Sequence, residues 1–244
     1  MTAISALIDI GGSSVKVTIR ENSAGKILTH EIGTTPKVQG KHISLNPDEL
    51  FATVIQAMNK SVEGLSSGLK VEKIYIATLR QGFCLISNEK ELTPIFLNSD
   101  TSGEMARADI EKYGFRRIYE ETGHWFAPQL TLPKLINLNR VQPDLVKQNT
   151  KLLFVHDWLA WKFTQEIVTE MTLVSAGQMA KLSDKGIHAE LLDFFGILED
   201  ILPKPHKFGT SLGSINAQSL SILSPLWSHA EVLVGGGDSH FLHM

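Results

Sequence analysis

An apolar run from Ala3 to Ile10 stops at Gly11-Gly12 and resumes as Val15, Val17 and Ile19 alternating with Lys16, Thr18 and Arg20. A continuous apolar stretch bounded by glycines fits a fully buried strand, and strict alternation fits a strand buried on one face. The opening therefore reads as strand, tight turn, strand. A third strand is expected at Lys26 to Thr34, after a turn at Asn22 to Gly25. Three strands joined by short turns make an antiparallel start.

Asn46-Pro47-Asp48-Glu49 then supplies an N-cap, a proline in the first helical position and acids in the first turn. Leu50, Phe51, Val54, Ile55, Met58 and Val62 follow at helical spacing, so this helix covers one face of the sheet. Further strands are expected at Lys73 to Leu79, Phe83 to Ile86 and Pro94 to Leu97. The pattern turns helical from Ser99 to Gly123 and again from Pro133, while Lys151 to Val155 reads as a buried strand running into an aromatic helix, His156 to Gln165. Beyond Gly186 come a helix around Leu191 to Phe195, a Pro-broken segment Leu202 to His206 and a strand near Gly209 to Ile215. The last strand, Glu231 to Val234, ends in Gly235-Gly236-Gly237-Asp238. No short internal repeat is present.

Composition removes several functional classes. At 244 residues, 43% hydrophobic and 20% charged, the chain is an ordinary globular protein able to bury a sizeable core. The net charge of −3, with dispersed Lys and Arg, lacks the footprint of a nucleic-acid binder. A single cysteine, Cys84, permits no disulfide framework and reads as a small buried hydrophobe. No basic leader precedes the first apolar run, and no uncharged stretch approaches the ~18 residues of a membrane span, so a cytoplasmic protein is expected.

Two loops invite a chemical reading. Asp9-Ile10-Gly11-Gly12-Ser13-Ser14-Val15-Lys16 sets a carboxylate at a strand end beside two glycines, where backbone N–H groups, hydroxyls and Lys16 could hold phosphates and Asp9 could reach a metal through water. A plain hairpin whose glycines supply positive φ competes evenly with that reading. Gly235-Gly236-Gly237-Asp238 again joins glycines to a carboxylate, which suits a general base for an attacking hydroxyl, or else a glycine-rich turn with a capping Asp. Arg80-Gln81, between a buried strand and Gly82, offers a fan of donors to a hydroxyl-rich ligand. His156 and Asp157 are adjacent on a helix and so poorly placed to share a ligand; Asp157 reads as a helix cap. The nine His residues form no metal motif.

In order and spacing these pieces resemble the FGGY family of carbohydrate kinases over nearly the whole chain. The opening loop is similar to the family's phosphate loop. Pro133-Lys134-Leu135-Ile136, Pro143-Asp144 and Val155-His156-Asp157-Trp158-Leu159-Ala160 resemble its "PKLLWL", "PE" and "DYLAYRLTGE" run, Thr172 to Gly177 its small-residue stretch, and Gly235 to Asp238 its "GGGD". The resemblance implies an α/β, actin-like, ribonuclease H-like ATPase fold, a mixed sheet flanked by helices, here the first lobe of a two-lobe sugar kinase. It implies a substrate-binding domain at 1–232 and the first residues of a truncated ATP-binding domain at 233–244. Asp238 would be the catalytic base, also touching substrate. Asp9, Gly11, Gly12, Ser13, Ser14 and Lys16 would hold ATP, with Asp9 near Mg2+. Arg80, Gln81 and Asp100 would hold the sugar.

The partner implied is a small-molecule sugar or polyol, with no nucleic acid and no membrane, and a homodimer is left open. Asn98-Ser99-Asp100-Thr101-Ser102 departs from the Trp and Arg common around that acid, and Arg80-Gln81 from the Met-His pair of xylulose kinases; Thr78 to Gly82 with His156 to Ala160 leans to the autoinducer-2 kinase branch. As the substrate half, the chain is expected to be weak or inactive alone. The competing readings are a non-catalytic sugar-binding or regulatory module on the same fold, and a chaperone-like ATPase, which would not need Arg80-Gln81.

Overall fold

The computed structural model describes residues 3–21, 27–65 and 69–237. The expected turn at Asn22 to Gly25, Lys26 and the candidate base Asp238 lie outside the described residues.

Strands β1 (Ala3–Ile10), β2 (Ser14–Glu21) and β3 (Ile27–Gly33) form the antiparallel start, with Ile10 opposite Val15 and Ser14 opposite Gly33. A hairpin of β4 (Lys37–Gln39) and β5 (His42–Leu45) leads into α1 (Pro47–Ser61). Asn46 caps that helix as its sequence demands, its side chain accepting from Asp48 and Glu49 N–H at 2.9 and 3.2 Å. Then come β6 (Lys70–Thr78), β7 (Phe83–Ser87), β8 (Lys90–Glu91) and β9 (Ile95–Phe96). The stretch from Ser99 to Gly123 is not one helix. It holds a 3-10 turn (Ser102–Ala106), α2 (Arg107–Tyr113) and α3 (Phe115–Thr122), broken at Gly114 (φ 107°) and closed by left-handed Gly123.

Helix α4 (Thr131–Val141) starts two residues before Pro133, which still sits in the first turn where its missing N–H costs nothing. The strand β10 (Lys151–Phe154) runs directly into α5 (Val155–Thr164), as read from sequence. The remainder comprises β11 (Val168–Thr169), α6 (Met171–Ala176), α7 (Ala189–Phe194), β12 (Lys204–Pro205), β13 (Ser211–Ser214), α8 (Ala217–Leu220) and β14 (Glu231–Gly237). Among the described residues no helix is long and apolar enough to cross a membrane.

The main sheet runs β13-β14-β6-β1-β2-β3, and a second sheet runs β10-β7-β9-β5-β4. In the main sheet β1, β6 and β14 are mutually parallel. One apolar core joins this sheet to α1 and α5; another joins the second sheet to α2, α3, α4, α6 and α7. Strands β7 and β10 form the wall between the cores. Cys84, Ile86 and Leu153 face the first core, while Phe83, Leu85, Leu152 and Phe154 face the second. Burial on both faces explains why these strands read as unbroken apolar runs. Cys84 is fully buried, and burial pushes its thiol up.

One sequence expectation needs correction. The strand read as ending at Val234 continues through all three glycines to Gly237, still paired with β6. A Cβ at Gly235 would lie 1.8 Å from the Ile76 carbonyl oxygen, so glycine here lets two backbones touch within a sheet rather than turn a corner. Residues 233–237 are therefore part of the main sheet.

Neighbouring glycines should consequently differ sharply. Gly235→Ala is expected to cost about 3 kcal/mol or more, or to abolish cooperative folding. In Gly236→Ala the new methyl meets only Glu170 Oε2 at 3.4 Å and Thr172 Oγ1 at 3.6 Å, and a loss of about 1 kcal/mol or less is expected. Urea unfolding of both variants checks the contrast.

Candidate active site

Because β1, β6 and β14 are parallel, their carboxyl ends meet at one edge of the sheet, where ligands of open α/β sheets bind. Ile10 stands beside Thr78, and Thr78 beside Gly237. From this edge emerge Gly11-Gly12-Ser13 after β1 and Leu79-Arg80-Gln81 after β6, and here β14 brings its three glycines to an end at Gly237. One residue further in, a row crosses one face of the sheet through Glu31, Lys16, Asp9, Ala77 and Gly236. Asp9 and Lys16 thus share a face and are direct cross-strand partners. The Thr78 hydroxyl, in the terminal row, is buried without a hydrogen-bond partner.

The first loop is a tight hairpin, with Gly11 N–H donating to Ser14 O at 2.9 Å. Neither Gly11 nor Gly12 has φ in the left-handed region, and a Cβ on either meets its nearest neighbour at an ordinary 3.5 Å. Backbone conformation and packing thus give no reason for two glycines, and what they provide is a loop tip that bears no side chains. Ser13 is exposed. Ser14 and Lys16 are engaged by a residue that sequence reading passed over: Glu31 accepts from Ser14 Oγ at 2.6 Å and lies 3.7 Å from Lys16 Nζ. Those two contacts, the serine first, hold the Glu31 carboxyl below its usual range.

Arg80 is exposed beyond the end of β6, close enough to His124 that burial first, and the Arg80 charge second, pull the His124 imidazole down. Gln81 is left-handed (φ 62°), and its side-chain amide donates to Ala176 O at 3.4 Å. Asp100 points inward and is fully buried. Its Oδ2 accepts from Ile43 N–H at 2.8 Å, and its Oδ1 from Ser102 N–H at 2.9 Å and Ser102 Oγ at 2.5 Å. That carboxylate pins the loop after β9 to β5.

Lys134, read in the sequence only as part of a helix motif, is 2% exposed. Its Nζ donates to Gln81 O at 2.8 Å and to Leu97 O at 2.9 Å, joining the two loops that carry Arg80 and Asp100. Thr131 Oγ1 reaches the same Gln81 carbonyl at 3.2 Å. Burial drives the Lys134 ammonium down to about 7, partly opposed by Asp100. Nothing in the sequence distinguishes this lysine from a solvated one, because the carbonyls that receive it come from residues far along the chain.

At the third segment, Glu170 Oε2 accepts from Thr172 N–H at 2.9 Å and from the Thr172 hydroxyl, and it borders Gly236. His156 and Asp157, read as poorly placed to share a ligand, meet each other: His156 Nδ1 lies 2.9 Å from Asp157 Oδ1. Asp157 also caps α5 as expected, its Oδ2 accepting from Phe154 N–H at 3.2 Å. Among the described residues no group of three or more His, Cys, Asp or Glu is arranged to hold a metal.

The sequence profile of the FGGY family of carbohydrate kinases, N-terminal domain, matches residues 4–242. The chain is 30% identical over 181 residues to a rhamnulokinase of Yersinia pestis, covering 70% of this chain and 37% of that protein. It is 26% identical over 174 residues to an autoinducer-2 kinase of Escherichia coli, covering 69% and 32%. The solved gluconate kinase from Lactobacillus acidophilus superposes with a TM-score of 0.89 at 18% identity, over 98% of this chain and 49% of that one. Plasmodium falciparum glycerol kinase with ADP superposes at 0.87 and 17% identity, again over 98% and 49%. The chain therefore spans about half the length of these structures, and its match about a third of the curated relatives. Its fold is the actin-like ATPase fold of sugar kinases.

The buried Lys134 has a measurable signature. Its native pKa lies below the unfolded value, so between about pH 7 and pH 10 the unfolded chain binds one more proton and stability rises with pH. The expected rise is on the order of 4 kcal/mol. It should be absent from the stability curve of Lys134→Met, measured by urea unfolding across that range, and so appear in full in the difference from wild type.

Proposed function

Since the chain belongs to the FGGY family of carbohydrate kinases, we propose that it forms the substrate-binding part of an ATP-dependent kinase acting on a hydroxyl of a sugar or polyol. The observation that carries this reading is the meeting of the carboxyl ends of β1, β6 and β14 at one sheet edge, beside a Gly11-Gly12 pair that neither φ nor packing requires. A loop that bears no side chains at Gly11 and Gly12, beside Ser13 and Lys16, suits the phosphates of ATP.

In this reading Arg80 and Gln81 hold the sugar's hydroxyls, with His124 beside them, and Asp100 acts from below by fixing the loop after β9. Asp9 is the residue for Mg2+, reached through water. Bound MgATP supplies the phosphoryl group and offsets its charge. Asp238 takes the proton of the attacking hydroxyl, which makes the oxygen nucleophilic as the new bond to phosphorus forms. The direct Lys16–Asp9 pairing across β1 and β2 keeps a cation beside the metal carboxylate, limiting repulsion between that carboxylate and incoming phosphates. Residues 1–232 contribute the sugar side of the cleft and 233–244 lead toward an ATP-binding domain, with β14 shared through Gly237.

The substrate class is read from the relatives. Rhamnulose, xylulose, gluconate, glycerol and the autoinducer-2 furanone are the compounds named in the kinases this chain resembles. In thermal melts of the chain, one of them should raise the midpoint at saturating concentration. At about 100 times Kd the stabilisation is ~2.7 kcal/mol, or roughly 5–10 °C for a domain of this size. Arg80→Ala should lose at least about tenfold in affinity, the scale of one charge-assisted hydrogen bond. A chain that melts cooperatively but shifts with none of the five would count against a preformed sugar site.

A further inference from the structure

The kinase reading leaves one buried group without a role: His156, which is fully buried at the start of α5 beside the equally buried Asp157. We propose that His156 is a positioning residue that sets the register of β14, by accepting at Nε2 the Gly235 N–H where the strand bulges. The contact is 2.7 Å long and buried.

The pairing of β14 with β6 shows why an acceptor is needed. Leu233 stands opposite Tyr75 and Gly236 opposite Ala77, so β14 carries one residue more than β6 between these partners. A bulge of this kind takes a backbone group out of the regular ladder. Val234 is committed to the other side, its N–H donating to Thr210 O and its carbonyl accepting from Gly209 N–H, both at 2.8 Å. Gly235 N–H turns instead toward α5. A buried N–H without an acceptor would carry its full desolvation cost, and the imidazole supplies that acceptor.

An imidazole nitrogen accepts only when it carries no proton. Asp157 arranges this: its Oδ1 is 2.9 Å from His156 Nδ1, which places the ring proton on Nδ1 and leaves Nε2 bare. The carboxylate is itself fixed by the Phe154 N–H at the start of the helix. Asp157, His156 and Gly235 thus form a chain of donors and acceptors from α5 to the strand. Its consequence is register. A slip of one residue moves every following side chain to the opposite face, and Gly236 would leave the row it shares with Ala77, Asp9 and Lys16. The link to catalysis rests on the reading of Asp238 as the base that follows this strand.

The test needs no ligand and uses the 15N-labelled chain. In the wild type, the His156 ring should show a protonated, pyrrole-type Nδ1 and a bare, pyridine-type Nε2; the opposite tautomer overturns the proposal. Amide exchange at Gly235 should be at least tenfold faster in His156→Leu than in the wild type, and within about threefold of it in His156→Gln, whose Oε1 can still accept. Exchange at Ile8 and Ile76 should be unchanged in both. Equal protection of Gly235 in the leucine variant, or a glutamine variant as unprotected as the leucine one, would also overturn it. If the leucine variant fails to fold, the wild-type tautomer and the glutamine variant still decide. A negative result here leaves the sugar-kinase reading standing, since that is tested separately by the melting shifts.

Discussion

The approach of β14 to β6 at Gly235 and Ile76 is the constraint on which the rest of the arrangement depends. Strand β6 is paired in parallel on both sides, and only parallel pairing brings the carboxyl ends of β1, β6 and β14 to a single edge. The space between the Gly235 backbone and the Ile76 carbonyl admits no Cβ at all. The outer parallel strand can therefore dock only where the chain offers a glycine, and the second and third glycines then carry it to the edge beside Thr78. Placement of the end of β14 is thus a consequence of backbone contact rather than of side-chain packing.

Elements with local signals were legible in the sequence. The strand-turn-strand start and the Asn46-Pro47 helix cap each depend on residues a few positions apart, and both are found where expected. The last strand reads as ending at Val234, before its glycines, because the reason for Gly235, the Ile76 carbonyl, lies far away in the chain. The breaks at Gly114 and Gly123 divide a stretch whose apolar spacing alone suggested continuity. His156 and Asp157 read as poorly placed to share a ligand on the rule that adjacent helical side chains diverge, and their direct contact carried no signal in the sequence. That rule fails in a first turn, where Asp157 folds back to the Phe154 N–H and so toward the imidazole.

In the candidate site, the residue types were legible and their partners were not. Ser14 and Lys16 read as phosphate donors, yet both also answer to Glu31 on the next strand, a cross-strand relation that no local motif encodes. Asp100 reads as a sugar ligand, but its carboxylate is occupied by two backbone N–H groups and a hydroxyl. Lys134 is the converse case. A lysine on a helix is expected in solvent, and only the convergence of the Gln81 and Leu97 carbonyls makes its burial tolerable.

These anchors have a property in common that bears on how such a site can change its substrate. Leu79 is held through its N–H to Ile10 O at 2.8 Å, Gln81 and Leu97 through their carbonyls to Lys134, and the loop after β9 through backbone N–H groups to Asp100. Every one of these bonds holds a loop by its main chain. Arg80, Asn98, Ser99 and Thr101, which lie on those loops, can then be exchanged without releasing the backbone beneath them. A fold retained at 18% identity fits such a division, in which a few buried groups fix the main chain. Under the proposed function, discrimination among hydroxylated ligands would then fall to side chains that do not hold the main chain, because an unpaired polar group in a site is penalised far more than a missing methylene.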